Sequence, residues 1–221
     1  MSDSSYKAFL FDLNGTMIDD MSYHAEAWYD IINNDLNGGL TYDQVKLQMY
    51  GKNEELLKRI FGNERFTQEE MDNLSIEKEK RYQAAYKPKL ELIKGLKPFL
   101  DKALEHNVLM AIGSAAIPFN IDFVLDNLNI RHYFKAIVSA ADVAHSKPDP
   151  QTYLDCAEKL QVALANCIVF EDAPKGVESA QNAGMQSVVL TTMHEEHEFS
   201  QYKNSLFFIK DYTDEKLEKL F

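Results

Sequence analysis

The stretch AFLFDLNGT, residues 8–16, joins four apolar residues to an aspartate and then to an Asn-Gly-Thr turn. A short apolar run bounded by a polar turn is typical of a strand that is buried on both faces of a parallel sheet. Ligands of open parallel sheets bind just beyond the carboxyl ends of the strands. The stretch therefore predicts a buried strand, with Asp12 at the end where a ligand would bind.

Further apolar runs of the same kind follow, and helical patterns separate them. The runs are residues 108–112, 136–138, 167–170 and 187–190. The helical patterns are residues 96–105, 118–128, 150–160 and 174–183. Gly184 is a favourable C-cap for the last of these helices. Strands that alternate with helices predict an α/β fold with a Rossmann-like, doubly wound parallel sheet.

A long polar segment interrupts this alternation after the first strand. Residues 20–87 are helix-patterned, most clearly at 24–29 and 68–85, and they contain no convincing strand. We therefore expect a helical insertion, residues 20–87, in a core domain of residues 1–19 and 88–221.

The junctions between the two predicted domains are expected to act as hinges, at residues 17–20 and 86–90. The tail, residues 211–221, has the pattern of an amphipathic terminal helix, and no function is assigned to it.

The composition restricts the classes of partner. The 221 residues carry a formal net charge of −12, and the pI is about 4.9. Nucleic acids and anionic membranes are bound through clustered Lys and Arg, so neither is an expected partner. A small phosphorylated ligand is compatible with this charge, because a site needs only local positive charge. No obligate protein partner is evident.

The cysteines and the N-terminus indicate a compartment. Cys156 and Cys167 have neither metal-ligand nor redox spacing. The N-terminus has no charged segment followed by an apolar one, as a secretory leader would have. The sequence therefore predicts a cytoplasmic protein.

Polar side chains of complementary chemistry follow the predicted strands. They are Asp12 after the first strand, Ser114 after the second, Lys147 in the loop after the third, and Glu171 and Asp172 after the fourth. The carboxylates offer the oxygen ligands that Mg²⁺ prefers, and the lysine and serine can bind phosphate oxygens. Asp12 could attack phosphorus and form an aspartyl-phosphate.

Each of these residues also has a structural interpretation. Residues 12–16 could form a turn that caps a helix, and Ser114 could cap the next helix. Lys147 could be a solvated charge, and the Glu-Asp pair at 171–172 could begin a polar loop. A calcium-binding loop is disfavoured, because glycine falls too early and no glutamate closes a twelve-residue loop. The occurrence of all these residues in order at successive strand ends favours the functional interpretation.

Together the motifs resemble the haloacid dehalogenase superfamily. Their order is DxxGT, a serine after a strand, SKPDP, and ED followed by APxGV. The insertion after the first motif resembles the type-one cap of that superfamily, so residues 20–87 would form a helical cap domain whose closure excludes water and decides which ligand fits. Residues 23–28 (YHAEAW) and 169–185 (VFEDAPKGVESAQNAGM) are most similar to the β-phosphoglucomutase-like phosphatases and mutases. The resemblance covers essentially the whole chain.

The resemblance implies a role for each matching residue. Asp12 would be the nucleophile. The transferring phosphoryl group would be held by Ser114, Ala115 and Lys147. The cofactor Mg²⁺ would be surrounded by Asp12, the Asn14 backbone carbonyl, Glu171 and Asp172. The implied function is a Mg²⁺-dependent phosphatase that acts on a small phosphorylated metabolite through phospho-Asp12.

Asn14 departs from the pattern of these phosphatases and mutases, which carry DxDGT. Their second aspartate protonates the leaving oxygen and later activates water, and a carboxamide can do neither. Loss of a general acid–base group costs about 10² to 10⁴ in rate. Three explanations remain open: an engineered change, a native enzyme with another proton carrier such as His24 or water, or a non-catalytic phospho-ligand-binding relative.

The cap sequence departs as well. Mutases of this group carry Gly-x-x-Arg, whose arginine holds the distal phosphate of a bisphosphate, whereas Gly51 is followed by Lys52, Asn53 and Glu54. An acid at that place repels a second phosphate, which favours a monophosphate phosphatase over the alternative, a β-phosphoglucomutase. The glutamate could equally belong to the first turn of a helix. Expected substrate-contacting residues of the cap are His24, Tyr50, Gly51, Lys52 and Asn53.

Overall fold

The structure is a computed structural model that describes residues 6–221, so the first five residues of the predicted core domain lie outside the described part. The strands are β1 (Ala8–Phe11), β2 (Leu109–Gly113), β3 (Ala136–Val138), β4 (Cys167–Glu171), β5 (Gln186–Leu190) and β6 (Ser205–Ile209). Within the described residues they form one parallel sheet in the order β3-β2-β1-β4-β5-β6. The predicted α/β fold with a Rossmann-like parallel sheet is confirmed.

Helices connect the strands. The α-helices are α1 (Met21–Asp30), α2 (Tyr42–Lys46), α3 (Asn53–Phe61), α4 (Gln68–Tyr86), α5 (Leu96–Glu105), α6 (Pro118–Asn127), α7 (Gln151–Leu160) and α8 (Pro174–Asn182). α6 and α8 begin at proline, which has no amide hydrogen to leave unpaired at a helix start. None of the helices in residues 6–221 is long and apolar enough to cross a membrane.

The chain folds into two compact units. The core unit runs to Asp19 and resumes at Glu91, and the inserted unit is Asp20–Leu90. The second boundary thus lies between Leu90 and Glu91, a little later than the predicted return at Pro88.

The inserted unit is built from α1 to α4 around a small apolar core. Trp28, Ile31 and Leu57 are buried in this core, and they belong to α1, the π-helical turn Ile31–Asp35 and α3. The predicted helix at residues 68–85 is confirmed as α4. Its start is fixed by Thr67, which accepts a hydrogen bond from the Glu70 amide while the Glu70 carboxylate accepts one from the Thr67 amide.

The central position of β1 determines which residues lie together at the carboxyl edge of the sheet. It lies between β2 and β4, and Phe11 pairs with Ile112 on one side and with Phe170 on the other. Parallel strands in this register end at the same level. The residues that follow β1, β2 and β4 therefore emerge side by side at one edge of the sheet.

β1 is buried on both faces, as its apolar run predicts. Phe9 and Phe11 lie among aromatic rings, and the Phe11 ring stacks on Phe170 with centroids 4.6 Å apart. Ala8 and Leu10 point to the other face, where they join an aliphatic cluster that includes residues of α7. Since neither face offers room for a charged group, the polar residues of this segment are confined to its carboxyl end.

β6 is absent from the predicted set of strands. It pairs with β5 at the edge of the sheet, and Ser205 to Phe208 are only half-buried, whereas Ile209 is buried. A half-exposed edge strand lacks the continuous apolar run by which the buried strands are recognised.

The amphipathic terminal helix predicted for residues 211–221 forms over only part of that segment, and as a 3-10 helix. The segment forms a turn followed by the 3-10 helix Glu215–Leu220. The carboxylates of Asp211 and Asp214 accept hydrogen bonds from the amides of Thr213 and Lys216. Such local bonds compete with α-helical ones, so the apolar residues are buried without an α-helix forming.

Gly95 lies close to the backbone of this tail, and a substitution there tests that contact. It precedes α5 with φ +83°, and a Cβ there would lie 2.7 Å from the Tyr212 carbonyl carbon and 2.8 Å from the Thr213 nitrogen. We expect Gly95→Ala to destabilise the protein by about 3 kcal/mol, because left-handed strain is added to a backbone clash. Denaturant unfolding of the variant and of the wild type measures this difference.

Gly184→Ala is the matched control, since Gly184 has φ +74° but no atom within 4 Å of an added Cβ. This variant should lose only about 1 kcal/mol of stability, from the strain of an alanine in the left-handed region. Equal losses in the two variants would contradict the assigned close approach.

Candidate active site

The loop after β1 is shaped by Gly15. The Gly15 amide donates to the Ile18 carbonyl at 2.8 Å, and the residue has φ +77°. A Cβ on Gly15 would lie 2.1 Å from Asp172 Oδ2, so a side chain here would displace that carboxylate. Thr16 Oγ1 donates to Asp172 Oδ1 at 3.0 Å. The Asn-Gly-Thr turn thus brings the loop after β1 against the loop after β4.

Lys147 lies at the centre of the site. Its ammonium donates to Asp12 Oδ1 at 2.6 Å and to Glu171 Oε1 at 2.7 Å, and the residue is 8% exposed. Burial opposes the charge of this ammonium, but the neighbouring carboxylates of Asp12 and Glu171 outweigh burial and raise the pKa of Lys147 well above its ordinary range. Lys147 is therefore a permanent buried cation, which excludes the interpretation as a solvated charge.

Glu171 is held from several sides at once. Its Oε1 accepts from Lys147 and from the Tyr153 hydroxyl at 2.8 Å, while Oε2 accepts from the amides of Asp172 and Ala173, both at 3.0 Å. Gly176 in α8 makes room for this arrangement, because a Cβ there would lie 1.7 Å from Glu171 Oε1. The carboxylate is seated against the first turn of α8.

Asp172 is buried in an unfavourable electrostatic environment. Burial, followed by the charges of Glu171 and Asp12, raises the pKa of Asp172 well above that of an ordinary carboxyl group. The hydrogen bond from Thr16 and the charge of Lys147 offset this only in part. The site therefore holds more negative charge than its lysine neutralises.

This donor set fits a hard divalent cation. Carboxylate oxygens in negative surplus are what Mg²⁺ prefers. As placed, however, no three acidic, histidine or cysteine side chains within residues 6–221 converge in a metal-ligand group. The Lys147 ammonium lies between Asp12 and Glu171, which accounts for their separation. The chemistry of the residues fits the metal, while the ammonium holds two of them apart.

The predicted phosphate-binding residues Ser114 and Ala115 directly follow β2. The Ser114 amide donates to the Val138 carbonyl at 2.9 Å, and its hydroxyl accepts from the Ala116 amide at 3.1 Å. Ser114 is buried, and Ala115 is half-buried. Because β2 is the neighbour of β1, this turn and Asp12 lie at the same edge of the sheet. Asn14, the remaining predicted residue of the core, is half-buried in the loop after β1.

In the inserted unit, His24 belongs to a buried charged cluster. Lys78 Nζ lies 2.7 Å from His24 Nδ1, and His24 Nε2 lies 3.1 Å from Asp20 Oδ2. An ammonium only donates, so Nδ1 accepts and Nε2 carries the hydrogen that is donated to Asp20. Lys78 also donates to Glu79 Oε1 at 2.9 Å. Both ring nitrogens of His24 are engaged in the cluster.

The other predicted cap residues lie at two separate positions in the inserted unit. Asn53 Nδ2 donates to Glu79 Oε1 at 3.3 Å, so it joins the cluster of His24. Tyr50, Gly51 and Lys52 lie in the loop before α3. Arg59 holds this loop, because its guanidinium covers the Tyr50 ring at 3.8 Å and donates to the Tyr50 carbonyl at 2.6 Å. Glu54 lies in the first turn of α3, as its structural interpretation requires.

Comparison with known proteins identifies the family. The haloacid dehalogenase-like hydrolase profile matches residues 9–190, which include every predicted site residue. The chain belongs to this family. The family, the fold class and the enzyme class predicted from the sequence are thereby confirmed.

Individual relatives of this haloacid dehalogenase-like hydrolase match over most of their length. Fructose-1-phosphate phosphatase YqaB of Escherichia coli is 32% identical over 186 residues, which are 83% of this chain and 95% of the relative. β-Phosphoglucomutase of Bacillus subtilis is 31% identical over 195 residues, which are 82% of each chain. A solved structure of a family IA hydrolase from Entamoeba histolytica has a TM-score of 0.85 at 27% identity and covers 97% of this chain and 98% of its own.

The sequence analysis of this haloacid dehalogenase-like hydrolase missed three buried residues near its predicted sites. Tyr153 occupies an apolar position of the α7 pattern and is indistinguishable from a core residue before its hydroxyl partner is known. Lys78 and Glu79 lie in the run IEKEKR, which has the composition of a solvated helix face. No signal in the sequence separates these residues from ordinary ones.

The surplus charge of the site gives a stability prediction. Asp172→Asn removes a buried carboxylate that is crowded by Glu171 and Asp12. Without metal, we expect the variant to be roughly 1 kcal/mol more stable than the wild type. Added Mg²⁺ should raise the unfolding temperature of the wild type and leave that of the variant unchanged, as thermal unfolding with and without Mg²⁺ would show.

Asp122→Asn is the control, because Asp122 pairs with Arg131 on the surface. It should change stability by less than about 0.5 kcal/mol and keep the response to Mg²⁺. A full Mg²⁺ response in Asp172→Asn would contradict the assignment of Asp172.

Proposed function

We propose that this chain is a Mg²⁺-dependent phosphatase of a small, sugar-phosphate-like metabolite that acts through phospho-Asp12. The observation that carries the proposal is the pairing of Asp12 with a buried, permanently charged Lys147 beside the Glu171-Asp172 pair. A buried lysine that neutralises a carboxylate is well placed to neutralise phosphoryl oxygens as well. Family membership and phosphatase relatives support the same assignment.

The chemistry follows from the residues of the core. Asp12 Oδ attacks phosphorus, the bond between phosphorus and the ester oxygen breaks, and the phosphoryl group moves to Asp12. Lys147 balances the charge of the phosphoryl oxygens, and Ser114 and the Ala115 amide supply hydrogen bonds to them. Water then cleaves phospho-Asp12 and releases inorganic phosphate. Mg²⁺, held by Asp12, Asp172, the Asn14 carbonyl and Glu171, would neutralise the charge surplus of the site.

Asn14 leaves the ester oxygen without a proton donor in this scheme. His24 is a poor substitute in its present arrangement, because its Nδ1 accepts from Lys78 and its Nε2 is bonded to Asp20. We infer that the proton comes from water. Turnover of alkyl phosphates is then slow, while esters with good leaving groups react readily.

The substrate class is inferred from relatives and from the cap. The relatives' names include a fructose 1-phosphate phosphatase and a β-phosphoglucomutase. We propose that residues 20–90 form the cap that selects the ester, with Asn53 and the buried cluster around His24 as its polar part. Glu54 disfavours a second phosphate, so a monophosphate and water as acceptor are preferred over the mutase reaction.

The test is phosphate release from a panel of sugar monophosphates with Mg²⁺, for the wild type and Asn14→Asp. We expect Asn14→Asp to be faster by about 10² with the preferred sugar phosphate, because a general acid–base group is restored. Inclusion of fructose 1-phosphate and β-glucose 1-phosphate compares the two activities named for the relatives. A mutase would isomerise the latter with little release of phosphate.

Asp12→Ala in both backgrounds is the control, and it should abolish turnover. The intact mass should be checked in parallel, because deamidation of the Asn14-Gly15 pair would restore a carboxylate unnoticed. Equal turnover of the wild type and Asn14→Asp would mean that another group carries the proton. If neither protein releases phosphate but both still bind it, the phosphatase proposal is contradicted. The chain would then be a phospho-ligand-binding protein.

A further inference from the structure

Tyr153, the third residue of α7, is fully buried directly beneath the charged centre of the site. We propose that Tyr153 is a positioning residue that fixes Lys147 and Glu171 for phosphoryl transfer. This inference rests on the proposed function, since it assigns Tyr153 to the same reaction. Tyr153 itself touches neither Asp12 nor the phosphoryl group in this account, and it acts through its two charged neighbours.

Tyr153 contacts both members of the ion pair. Its hydroxyl donates to Glu171 Oε1 at 2.8 Å, the same oxygen that accepts from Lys147 at 2.7 Å. The Lys147 ammonium also lies 4.7 Å from the centre of the Tyr153 ring. The hydroxyl thus restrains the carboxylate, while the ring face supports the cation.

The position of the Tyr153 ring is itself constrained. Gly113, the last residue of β2, has no side chain, and a Cβ there would lie 3.1 Å from Tyr153 Cε1. The ring belongs to the aliphatic cluster that contains Leu10 of β1 and Cys156 of α7. Its other end meets Glu171, which α8 admits only because residue 176 is glycine. The ring is therefore packed against β1, β2 and α7, and its hydroxyl is held by Glu171.

The Tyr153 hydroxyl helps to fix the position of the Lys147 ammonium. A lysine ammonium has three N–H donors, and within the described residues two of them are used by Asp12 and Glu171. The third is available to a phosphoryl oxygen. Without the Tyr153 hydroxyl, Lys147 would be the one side-chain donor left to Glu171 Oε1 among the described residues, and the carboxylate would otherwise be restrained only through the two amide bonds to Oε2. The ammonium would then lose its fixed position midway between nucleophile and anchor.

Core packing alone does not account for a tyrosine here. Phenylalanine would fill the same space, whereas a buried hydroxyl is costly unless it is hydrogen-bonded. Within residues 6–221, the hydrogen bond found for this hydroxyl is to the carboxylate of Glu171, a residue of the site. Its function is therefore best explained by the ion pair.

The test is Tyr153→Phe, which keeps the ring and removes the oxygen. Its first readout is the burst of p-nitrophenolate from p-nitrophenyl phosphate with Mg²⁺, because this leaving group departs without a proton and so does not depend on Asn14. We expect the saturating burst rate to fall about tenfold, as for loss of one hydrogen bond to a charged group. The half-saturating concentration should change by less than about threefold, since Lys147 remains present.

A second readout does not depend on turnover. The affinity for inorganic phosphate with Mg²⁺, measured by calorimetry, should weaken by less than about threefold, in line with the half-saturating concentration. The unfolding temperature, measured in parallel, should stay well above the assay temperature. Tyr133→Phe is the matched control, because Tyr133 is also buried in the core unit and donates its hydroxyl to a carboxylate, that of Asp101, away from the site. It should leave both the burst and the phosphate affinity unchanged.

The outcomes separate the inference from the function on which it rests. A wild-type burst with an equal burst in Tyr153→Phe would overturn the positioning role and leave the phosphatase proposal intact. A slower burst accompanied by an equal slowing in Tyr133→Phe would also overturn it, because any buried hydroxyl would then have the same effect. Absence of both burst and phosphate binding in the wild type would overturn the proposed function and the inference together.

Discussion

The structure of the site depends on one buried ammonium among carboxylates. Lys147 contacts Asp12 and Glu171 within 2.7 Å. Burial, followed by the charges of Glu171 and Asp12, raises the pKa of Asp172. Burial of such charges is unfavourable unless they are paired and hydrogen-bonded. Here Lys147 pairs with the carboxylates, and Glu171 also accepts hydrogen bonds from Tyr153 and two backbone amides. Gly15 and Gly176 supply the space, since a Cβ on either residue would occupy the place of a carboxylate. The sheet then brings Asp12 and Glu171 together, because β1 and β4 are neighbours in register.

The sequence predicts those features that are set by apolar runs and by motifs. The buried strands are recognisable because both of their faces need apolar side chains, and Asp12, Lys147 and Glu171 are recognisable because they follow such strands in a family order. β6 and the short extent of the terminal helix escape prediction for local reasons, namely an exposed edge and side chains that bond to nearby amides. Tyr153, Lys78 and Glu79 escape for another reason: what distinguishes them is their buried partners, and those partners lie far away in sequence. Propensity carries no information about such contacts.

We propose that Asn14 alters proton transfer at the site and leaves the fold of the turn after β1 unchanged. The turn needs Gly15 for its backbone and Thr16 for its bond to Asp172, and neither requirement concerns the side chain at position 14. Under the proposed function, the nucleophile and the cation beside it would therefore be preserved, while proton transfer would be impaired. In the inserted unit, the hydrogen-bonded series from Asp20 through His24 and Lys78 to Glu79 fixes the tautomer of His24 and occupies both of its nitrogens. Under the same proposal, the chain would form a phosphoenzyme that hydrolyses slowly.

The most direct test of this account is the intact mass of the wild type after incubation with acetyl phosphate and Mg²⁺. Acetyl phosphate transfers its phosphoryl group without needing a proton donor, so Asn14 does not limit the first step. The account predicts a long-lived adduct of one phosphoryl group, located on Asp12 by peptide mapping and absent from Asp12→Ala. An unmodified wild type, or an adduct on another residue, would contradict the central claim that Asp12 is the nucleophile.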